Sequence, residues 1–434
     1  MDLLTANDAA GQYPASWYAA TATPPPENPP ARGAMACDVC VIGGGFTGLS
    51  SALHLAERGY DVILLDAHRA GFGASGRNGG QVGTGQRLHQ DELEKMLGHD
   101  HARALWDISL ESVALVRDLI ARHSPDAGWT SGIISADHRR RYVADSHAYA
   151  DHLAQHYGYD QITPLDATAM RAHVGSPAYH GGFLDMGGGH THPLRFAFAL
   201  ARACAAAGVR MHDLSRVTAI ADGQPATVTT DSGGSIRAQH VILGCNGYLG
   251  RLDGQTAARV MPINNYIIAT EPLDDSTARG LIRDGHAVAD SKFVINYFRL
   301  SEDNRMLFGG GESYGYRFPA DITALVRKPM LEIFPQLRDA RIDYAWGGTL
   351  GITMNRMPHF ARRRANILSL SGYSGHGVAM ATLAGQIGAD VIAGQAERFD
   401  VMARVPSSRF PGGAALRSPL LVLAMLWFSL RDRF

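Results

Sequence analysis

Apolar residues fall along the chain in two alternating rhythms. The run CDVCVI (37–42) is short and continuous, as a strand buried on both faces requires. Just beyond it, GLSSALHLAER sets Leu49, Ala52, Leu53 and Ala56 at helical spacing. Gly59 stands where that helix would end, and DVILLD (61–66) reads as a second buried strand. Strand, helix and strand together span about 30 residues, the size of a parallel crossover unit.

The rhythm then changes. Residues 91–156 read as mostly helical, with Leu105, Ile108, Leu115, Leu119 and Ile120 among the apolar positions. A further helix over 193–207 opens with Pro193 and closes before Gly208. Short strands follow in VRMHDL, RVTAI, ATVTTD and IRAQHVILG, with a turn at 232–234, and later in YIIAT and MLFGG. NILSLSG (366–372) repeats the buried-strand pattern and leads into a helix over 377–393. A strand–glycine–helix unit thus opens the fold, and another returns some 330 residues later. This order predicts an α/β class (α+β overall): a discontinuous Rossmann-like nucleotide domain with an inserted mixed-sheet domain. The expected segments are a proline-rich arm (1–36), nucleotide-domain parts at 37–95, 182–255 and 346–434, and substrate-domain parts at 96–181 and 256–345.

Composition narrows the function. The 434 residues are 46% hydrophobic, enough for a full core. Basic and acidic residues number 40 and 41, a balance that argues against nucleic acid or an anionic membrane as partner. The basic triplets 139–141 and 362–364 read as solvated faces. Four cysteines make no disulfide framework. Cys37 and Cys40 form a CxxC inside a strand with no second pair, so they read as core, and no metal site is expected. No signal peptide or transmembrane run is evident, and the apolar tail at 419–430 is expected to dock on the protein's own core. The expected location is cytoplasmic.

Chemistry enters with the glycines. Gly43, Gly45 and Gly48 make a GxGxxG between strand and helix, and Asp66 ends the next strand where an acid would meet ribose hydroxyls. GFGASGRNGGQ (71–81) has almost no side-chain bulk but carries Arg77, Asn78 and Gln81. A chain hugging a flat ring system would look like this, with polar side chains left to bond the ring's edge. SGYSGHG (371–377) places a turn before a helix whose N-terminus would stabilise negative charge. A reduced flavin carries such charge, whereas a reduced nicotinamide does not. FAD is therefore the expected cofactor.

These segments resemble the D-amino-acid oxidase and sarcosine oxidase superfamily of flavoproteins, and more closely its γ-glutamylputrescine oxidase branch. The likeness runs nearly end to end, through SWYAAT, VILGCNGY, PINNYIIATEPL, LFGGGESY, AWGGTLGITMNRMPHF, LSGYSGHGV and the closing FPGG. It implies that Gly43, Gly45, Phe46, Thr47, Gly48 and Asp66 hold the ADP half of FAD. It implies that Gly73, Ala74, Ser75, Asn78, Gly79 and Gln81 line the isoalloxazine, and that Val217 meets the adenine through its backbone. Gly247 belongs to the VILGCNGY part of the cofactor site. Gly375, His376 and Gly377 would face the pyrimidine edge. Relatives with covalent flavin use a cysteine in the stretch matching 346–356, which has none here, so the expected FAD is non-covalent. The lysine that helps oxygen react in some members has no convincing match among Lys95, Lys292 and Lys328.

The expected reaction is oxidation of a C–N bond, with hydride passing from an amine's α-carbon to flavin and the resulting imine hydrolysing. The expected substrate is γ-glutamylputrescine or a related amine, with oxygen or another electron acceptor. An apolar chamber would favour the neutral amine. Tyr266, Tyr297, Trp346 and Tyr373 are its candidate walls, and Tyr266, Trp346 and His376 are the candidate catalytic residues. Two alternatives stand beside this. One is a D-amino or N-methyl amino acid oxidase or dehydrogenase, with Arg299, Arg317 or Arg356 pairing a carboxylate. The other is a flavoprotein fold retained as a binding or assembly module.

Overall fold

The computed structural model describes residues 2–313 and 315–411. Its first sheet grows from the buried run at Cys37. Strand Gly33–Ile42 lies between Gly234–Leu243 and Val62–Leu65 and is parallel to both. Val39 and Val41 enter one core while Cys40 and Ile42 enter another, so both faces are buried and an unbroken apolar run is required. Across the sheet the order is His359–Arg364, Ile367–Ser371, Gly234–Leu243, Gly33–Ile42, Val62–Leu65 and Arg210–His212. Strands Ala226–Thr230 and Val217–Ala221 extend it through a hairpin edge. Neighbours in space thus come from three separated parts of the chain.

Helices Phe46–Ala56, Pro193–Ala206 and Gly377–Ile392 contribute to one core on this sheet, with Leu49, Phe196 and Leu383 fully buried. Small residues set how closely they lie. A Cβ on Gly385 would sit 2.5 Å from the Thr47 carbonyl oxygen, so the first and last of these helices touch backbone to backbone.

The second sheet runs Ile342–Ile352, Met261–Thr270, Met306–Ser313, Tyr297–Leu300, Ala287–Asp290, Thr130–Ala136, Gly182–His190 and Gln81–Val82. Ile162–Leu165 pairs on Gly182–His190 as well. Only Ala287–Asp290 and Thr130–Ala136 run parallel among these pairs. Tyr266, Phe298, Phe308 and Phe334 fill the core on this sheet.

The discontinuous plan is as expected, but three boundaries differ. Helix His99–His123 packs into the core of the first sheet rather than the second. Strand Gly182–His190 belongs to the second sheet, and Ile342–Ile352 runs straight across position 346. Glycines obscure the strand at 182–190. A Cβ on Gly182 would lie 1.9 Å from the Ser135 carbonyl oxygen, so close strand approach excludes the side chains that would have marked it. Thr130–Ala136 is likewise a strand within the stretch expected to be mostly helical.

The N-terminal arm is pinned across both halves. Ser16 caps helix Trp17–Thr21, whose Trp17 and Tyr18 are buried. The proline stretch then runs over the first sheet, tied by Arg69 to the Pro25 carbonyl at 2.7 Å and by Ala31 N–H to Ser215 Oγ at 2.8 Å. No helix among the described residues is long and apolar enough to cross a membrane. The apolar tail at 419–430 lies outside the described residues.

Candidate active site

One cavity of about 710 Å³ runs from the fingerprint glycines on the first sheet to the face of the second. At its first end Gly43, Gly45, Phe46, Thr47, Asp66 and Val217 form the wall. Gly48 stands behind them, and its role is packing: a Cβ there would meet the Gly43 carbonyl oxygen at 1.8 Å. Gly43 adopts φ +106, and a Cβ on it would lie 2.9 Å from the Gly244 carbonyl oxygen. The turn is therefore tight because strand and helix ends converge on it.

Asp66 accepts from the Gly44 N–H at 2.6 Å and from the His68 N–H at 2.7 Å. Burial outweighs these bonds and raises its pKa to about 6. Helix Phe46–Ala56 starts at Gly45 with no side-chain cap, and only Phe46 N–H has found one, in Ser75 Oγ at 3.0 Å. Its first turn therefore still presents N–H dipoles that favour phosphate charge.

The middle of the cavity is lined by Gly73, Ala74, Ser75, Asn78, Gly79 and Gln81. Here the reason for the glycines differs from the one expected. A Cβ on Gly79 would lie 2.8 Å from the Tyr297 ring, one on Gly76 2.2 Å from the Gly71 carbonyl oxygen, and one on Gly80 2.1 Å from that of Thr191. What stands close to this backbone, before any ligand is considered, is the protein itself. The polar side chains are also spent internally. Arg77 pairs with Asp8 at 3.0 Å and donates to the Phe72 carbonyl at 2.7 Å. Asn78 bonds the Ala74 and Ser75 carbonyls and the Gly80 N–H, and Gln81 donates to the Val288 carbonyl. What this loop turns toward the cavity is chiefly backbone.

Beyond it lie Gly375, His376, Gly377 and Tyr373. Gly375 has φ +100, a conformation that excludes ordinary side chains, and open space faces it where a Cβ would project. Helix Gly377–Ile392 begins here, again without a side-chain cap. Burial, then the charge of Arg87, pushes the His376 pKa down to about 4, so its ring is neutral at pH 7. His376 Nε2 lies 3.4 Å from the Thr84 carbonyl oxygen. Tyr373 bonds Thr47 Oγ1 through its hydroxyl at 2.7 Å, tying the two glycine turns together.

The far chamber is walled by Tyr149, Phe183, Phe293, Tyr297, Ile133 and Ile162, with Asp185, Glu312, Arg87 and Arg356 among them. Asp185 is buried and accepts from Tyr159 and Thr84 hydroxyls and from the Gly187 N–H at 3.0 Å. Asp290, also on the wall, has its pKa raised to about 6 by burial.

Several expected residues are placed elsewhere. Tyr266 and Trp346 do not line the cavity. Tyr266 is buried with its hydroxyl on Ser313. Trp346 donates to the Arg77 carbonyl at 3.1 Å and packs edge-on against Tyr18, 5.3 Å between ring centroids. The N-terminal helix thus packs directly against Trp346. Gly247 also stands off the cavity, pressed against Leu350. Arg299 gives its N–H groups to the Gly79, Thr191 and Leu300 carbonyls and the Tyr18 hydroxyl, and Arg317 is exposed. Of Arg299, Arg317 and Arg356, only Arg356 reaches the cavity. None of Lys95, Lys292 and Lys328 lines it. Arg87, Tyr149, Phe183, Asp185 and Glu312 were not singled out from sequence. The segments of the first four carry no motif, and Glu312, although part of LFGGGESY, has no role that the resemblance names; only folding brings them to one chamber. Away from the cavity, His173, Asp284 and His286 hold potential ligand atoms within 4.8 Å of one another, a cluster not anticipated from spacing.

The cavity suits FAD on its own geometry. Two helix N-termini without side-chain N-caps, a half-buried carboxylate just past the second strand and an open glycine turn border one continuous cavity. Gly43, Gly45, Phe46, Thr47, Asp66 and Val217 would hold the nucleotide, while the 73–81 loop and Gly375–Gly377 would flank the ring.

The family model for FAD-dependent oxidoreductases (DAO) matches residues 38–391. The chain is 42% identical over 423 residues to gamma-glutamylputrescine oxidoreductase of Escherichia coli (strain K12), covering 97% of this chain and 99% of that protein. It is 40% identical to the probable oxidoreductase OrdL of Rhizobium meliloti (strain 1021), covering 96% of this chain and 97% of that one. Among solved structures, glycine oxidase from Geobacillus kaustophilus superposes with a TM-score of 0.70 at 21% identity, over 83% of this chain and 95% of that chain. The last likeness is one of fold. Taken with the cavity and its glycine turns, the matches identify the chain as a member of the FAD-dependent oxidoreductase (DAO) family.

Proposed function

We propose that the protein oxidises a C–N bond of a small amine, with γ-glutamylputrescine or a closely related amine as substrate. The observation that carries this is the continuity of the cavity: the dinucleotide fingerprint opens without a break into an apolar, acid-bearing chamber. The 42% identity to a gamma-glutamylputrescine oxidoreductase supports the choice of amine. FAD, when bound, supplies the two-electron acceptor for a hydride leaving the carbon next to nitrogen.

The chain's own residues bind and exclude. Tyr149, Phe183, Phe293 and Tyr297 remove water from an amine, and that desolvation lowers its pKa and favours the neutral form. Asp185 and Glu312 draw the cationic amine toward the chamber before it gives up its proton. Neutral His376 positions the second glycine turn without adding a charge beside the ring. No strong acid or base is needed for this chemistry, because positioning carries it.

Non-covalent attachment of FAD belongs to the same proposal. Cys245 is the cysteine on the cavity wall, and burial raises its thiol to about 12, which leaves it a poor nucleophile. The placement of Arg356 on the cavity favours a second reading, an oxidase or dehydrogenase of D-amino or N-methyl amino acids.

An anaerobic titration of the purified holoprotein with γ-glutamylputrescine, followed through the yellow flavin band, tests the proposal. Bleaching is expected, and admitting air afterwards distinguishes oxygen from another acceptor. A band bleached by sarcosine or D-alanine but not by γ-glutamylputrescine would move the assignment to the second reading. A flavin that no amine bleaches would point to a binding module, and a colourless protein that takes up no FAD would overturn the proposal.

A further inference from the structure

The first residues of the arm border the nucleotide end of the cavity. Asp2 and Leu4 line it together with Asp66, His68, Arg216 and Val217. Asp2 pairs with Arg216, next to the Val217 expected to meet the adenine. The Leu4 carbonyl oxygen lies 2.7 Å from His68 Nε2, two residues past Asp66. Three residues of the arm thus connect the two segments between which an adenosine would sit. This stretch precedes the span 38–391 that the family model matches, so the dinucleotide fingerprint does not account for it.

One imidazole fastens the arm at two points. The Gly11 N–H donates to His68 Nδ1 at 3.1 Å, and because a carbonyl only accepts, Nε2 carries the proton that meets Leu4. His68 is itself fixed, stacked on Phe72 with 3.7 Å between ring centroids and with its backbone N–H on Asp66. The carboxylate placed for the ribose and the ring that holds the arm therefore belong to one short segment. Further along, Asn7 bonds the Tyr316 carbonyl and the Phe318 N–H, both at 2.8 Å, and Tyr13 donates to the Ala70 carbonyl at 2.9 Å.

These anchors hold a stretch with no regular structure of its own. Residues 2–13 form neither helix nor strand, and turn bonds from Thr5 to Asp2 and from Gln12 to Ala9 tie the backbone to itself. Leu3 is buried, but Thr5, Ala9 and Ala10 are exposed, and the Asp2–Arg216 pair is too open to solvent to hold the arm alone. A segment docked by tertiary contacts, with little apolar surface buried, opens at a small cost in free energy.

We propose that residues 2–13 are a strap across the adenosine end of the cavity, which docks as that end fills and releases for FAD to enter or leave. The proposal rests on the non-covalent attachment of FAD proposed above. Docking and cofactor binding are then linked equilibria. Whatever factor the docked arm adds to FAD affinity, bound FAD adds to docking of the arm.

The test follows both sides of that linkage. Deuterium exchange of the amides in residues 2–13 is measured on the full chain stripped of flavin, then with ADP, FMN or FAD added. FAD and ADP should each slow exchange roughly 5- to 150-fold, the span of an ordinary coupling, and FMN, which lacks the adenosine, should not. Removing residues 2–7 leaves the Asp8–Arg77 pair in place and should weaken FAD by a similar factor through faster release. The melting temperature of the flavin-free protein should change little. Asn7→Ala keeps the test open if the shortened chain does not fold. It loses its bonds to Tyr316 and Phe318, neither of which lines the cavity, and should lower FAD affinity by a smaller factor. Equal exchange with and without ADP would make the arm a fixed wall, and protection by FMN would tie it to the loop at Arg77. Unchanged FAD affinity in both variants would leave it a structural role. Each of these results overturns the strap. Flavin that stays with acid-precipitated protein would instead overturn the non-covalent attachment, and the strap with it.

Discussion

The two ends of the cavity are built by different means. At the nucleotide end, contiguous residues do most of the work: Gly43 to Gly48 form one turn, Asp66 ends the next strand, and backbone N–H groups face the cavity. At the chamber end, Arg87, Tyr149, Phe183, Asp185, Tyr297, Glu312 and Arg356 come from separate segments, and side chains make the wall. Phosphate and ribose recur wherever a dinucleotide binds, so one local device suffices for them. A particular substrate has no such device, and its site is assembled from whatever the second sheet presents. Added atoms should therefore do the damage at the first end, and removed charges at the second.

The sharpest way to break that comparison is Gly48→Ala. Its methyl would meet the Gly43 carbonyl oxygen at 1.8 Å, so strand and helix must part. Overpacking of this kind costs about 3 kcal/mol at the upper end. The expected result is protein purified without FAD and with a lower urea midpoint; an unchanged midpoint and full flavin content would refute the packing role.

Gly375→Ala comes next. Open space faces this position but φ is +100, so strain rather than collision is expected, about 1–2 kcal/mol. If the ring lies against this turn, FAD affinity falls together with thermal stability. A loss of stability alone would separate the turn from the cofactor.

Asp66→Asn should weaken FAD about tenfold, as losing a charge-assisted acceptor does. The pH dependence is the more telling readout. Because burial raises the Asp66 pKa to about 6, its carboxylate is protonated below that value and becomes the stronger acceptor above it. FAD affinity, measured by fluorescence quenching, should rise between pH 5 and 7 in the wild type and stay flat in the variant. A slope that survives in Asp66→Asn would assign the titration to another group.

The smallest effect is expected from Tyr373→Phe. It removes the 2.7 Å bond to Thr47 that joins the two glycine turns, worth about 1 kcal/mol. A small fall in melting temperature with near-normal KM is expected; a large change in KM would bring Tyr373 into the substrate site.

Much of the architecture was legible along the chain because local physics sets it. A strand buried on both faces must be continuously apolar, as Val39 to Ile42 are, and a parallel crossover must pass through a helix. Where two backbones touch, glycine replaces the pattern, and the strand Gly182–His190 vanished from view for that reason. The loop at 71–81 shows the same limit at the site: its glycines announced a close neighbour, but only the fold reveals that Tyr297 and the Thr191 carbonyl are neighbours already present. Trp346 carried the composition of a substrate wall, yet it stands off the cavity and packs against Tyr18, more than 300 residues earlier in the chain. Sequence by itself determined the nucleotide fold, the fingerprint and the carboxylate that follows it, because each depends on residues within one crossover unit. Which arginines are bound up in internal bonds, as Arg77 and Arg299 are, and which aromatic rings line the cavity rather than pack on each other, only the tertiary structure decided, because burial and pairing depend on segments that meet only after the chain has folded.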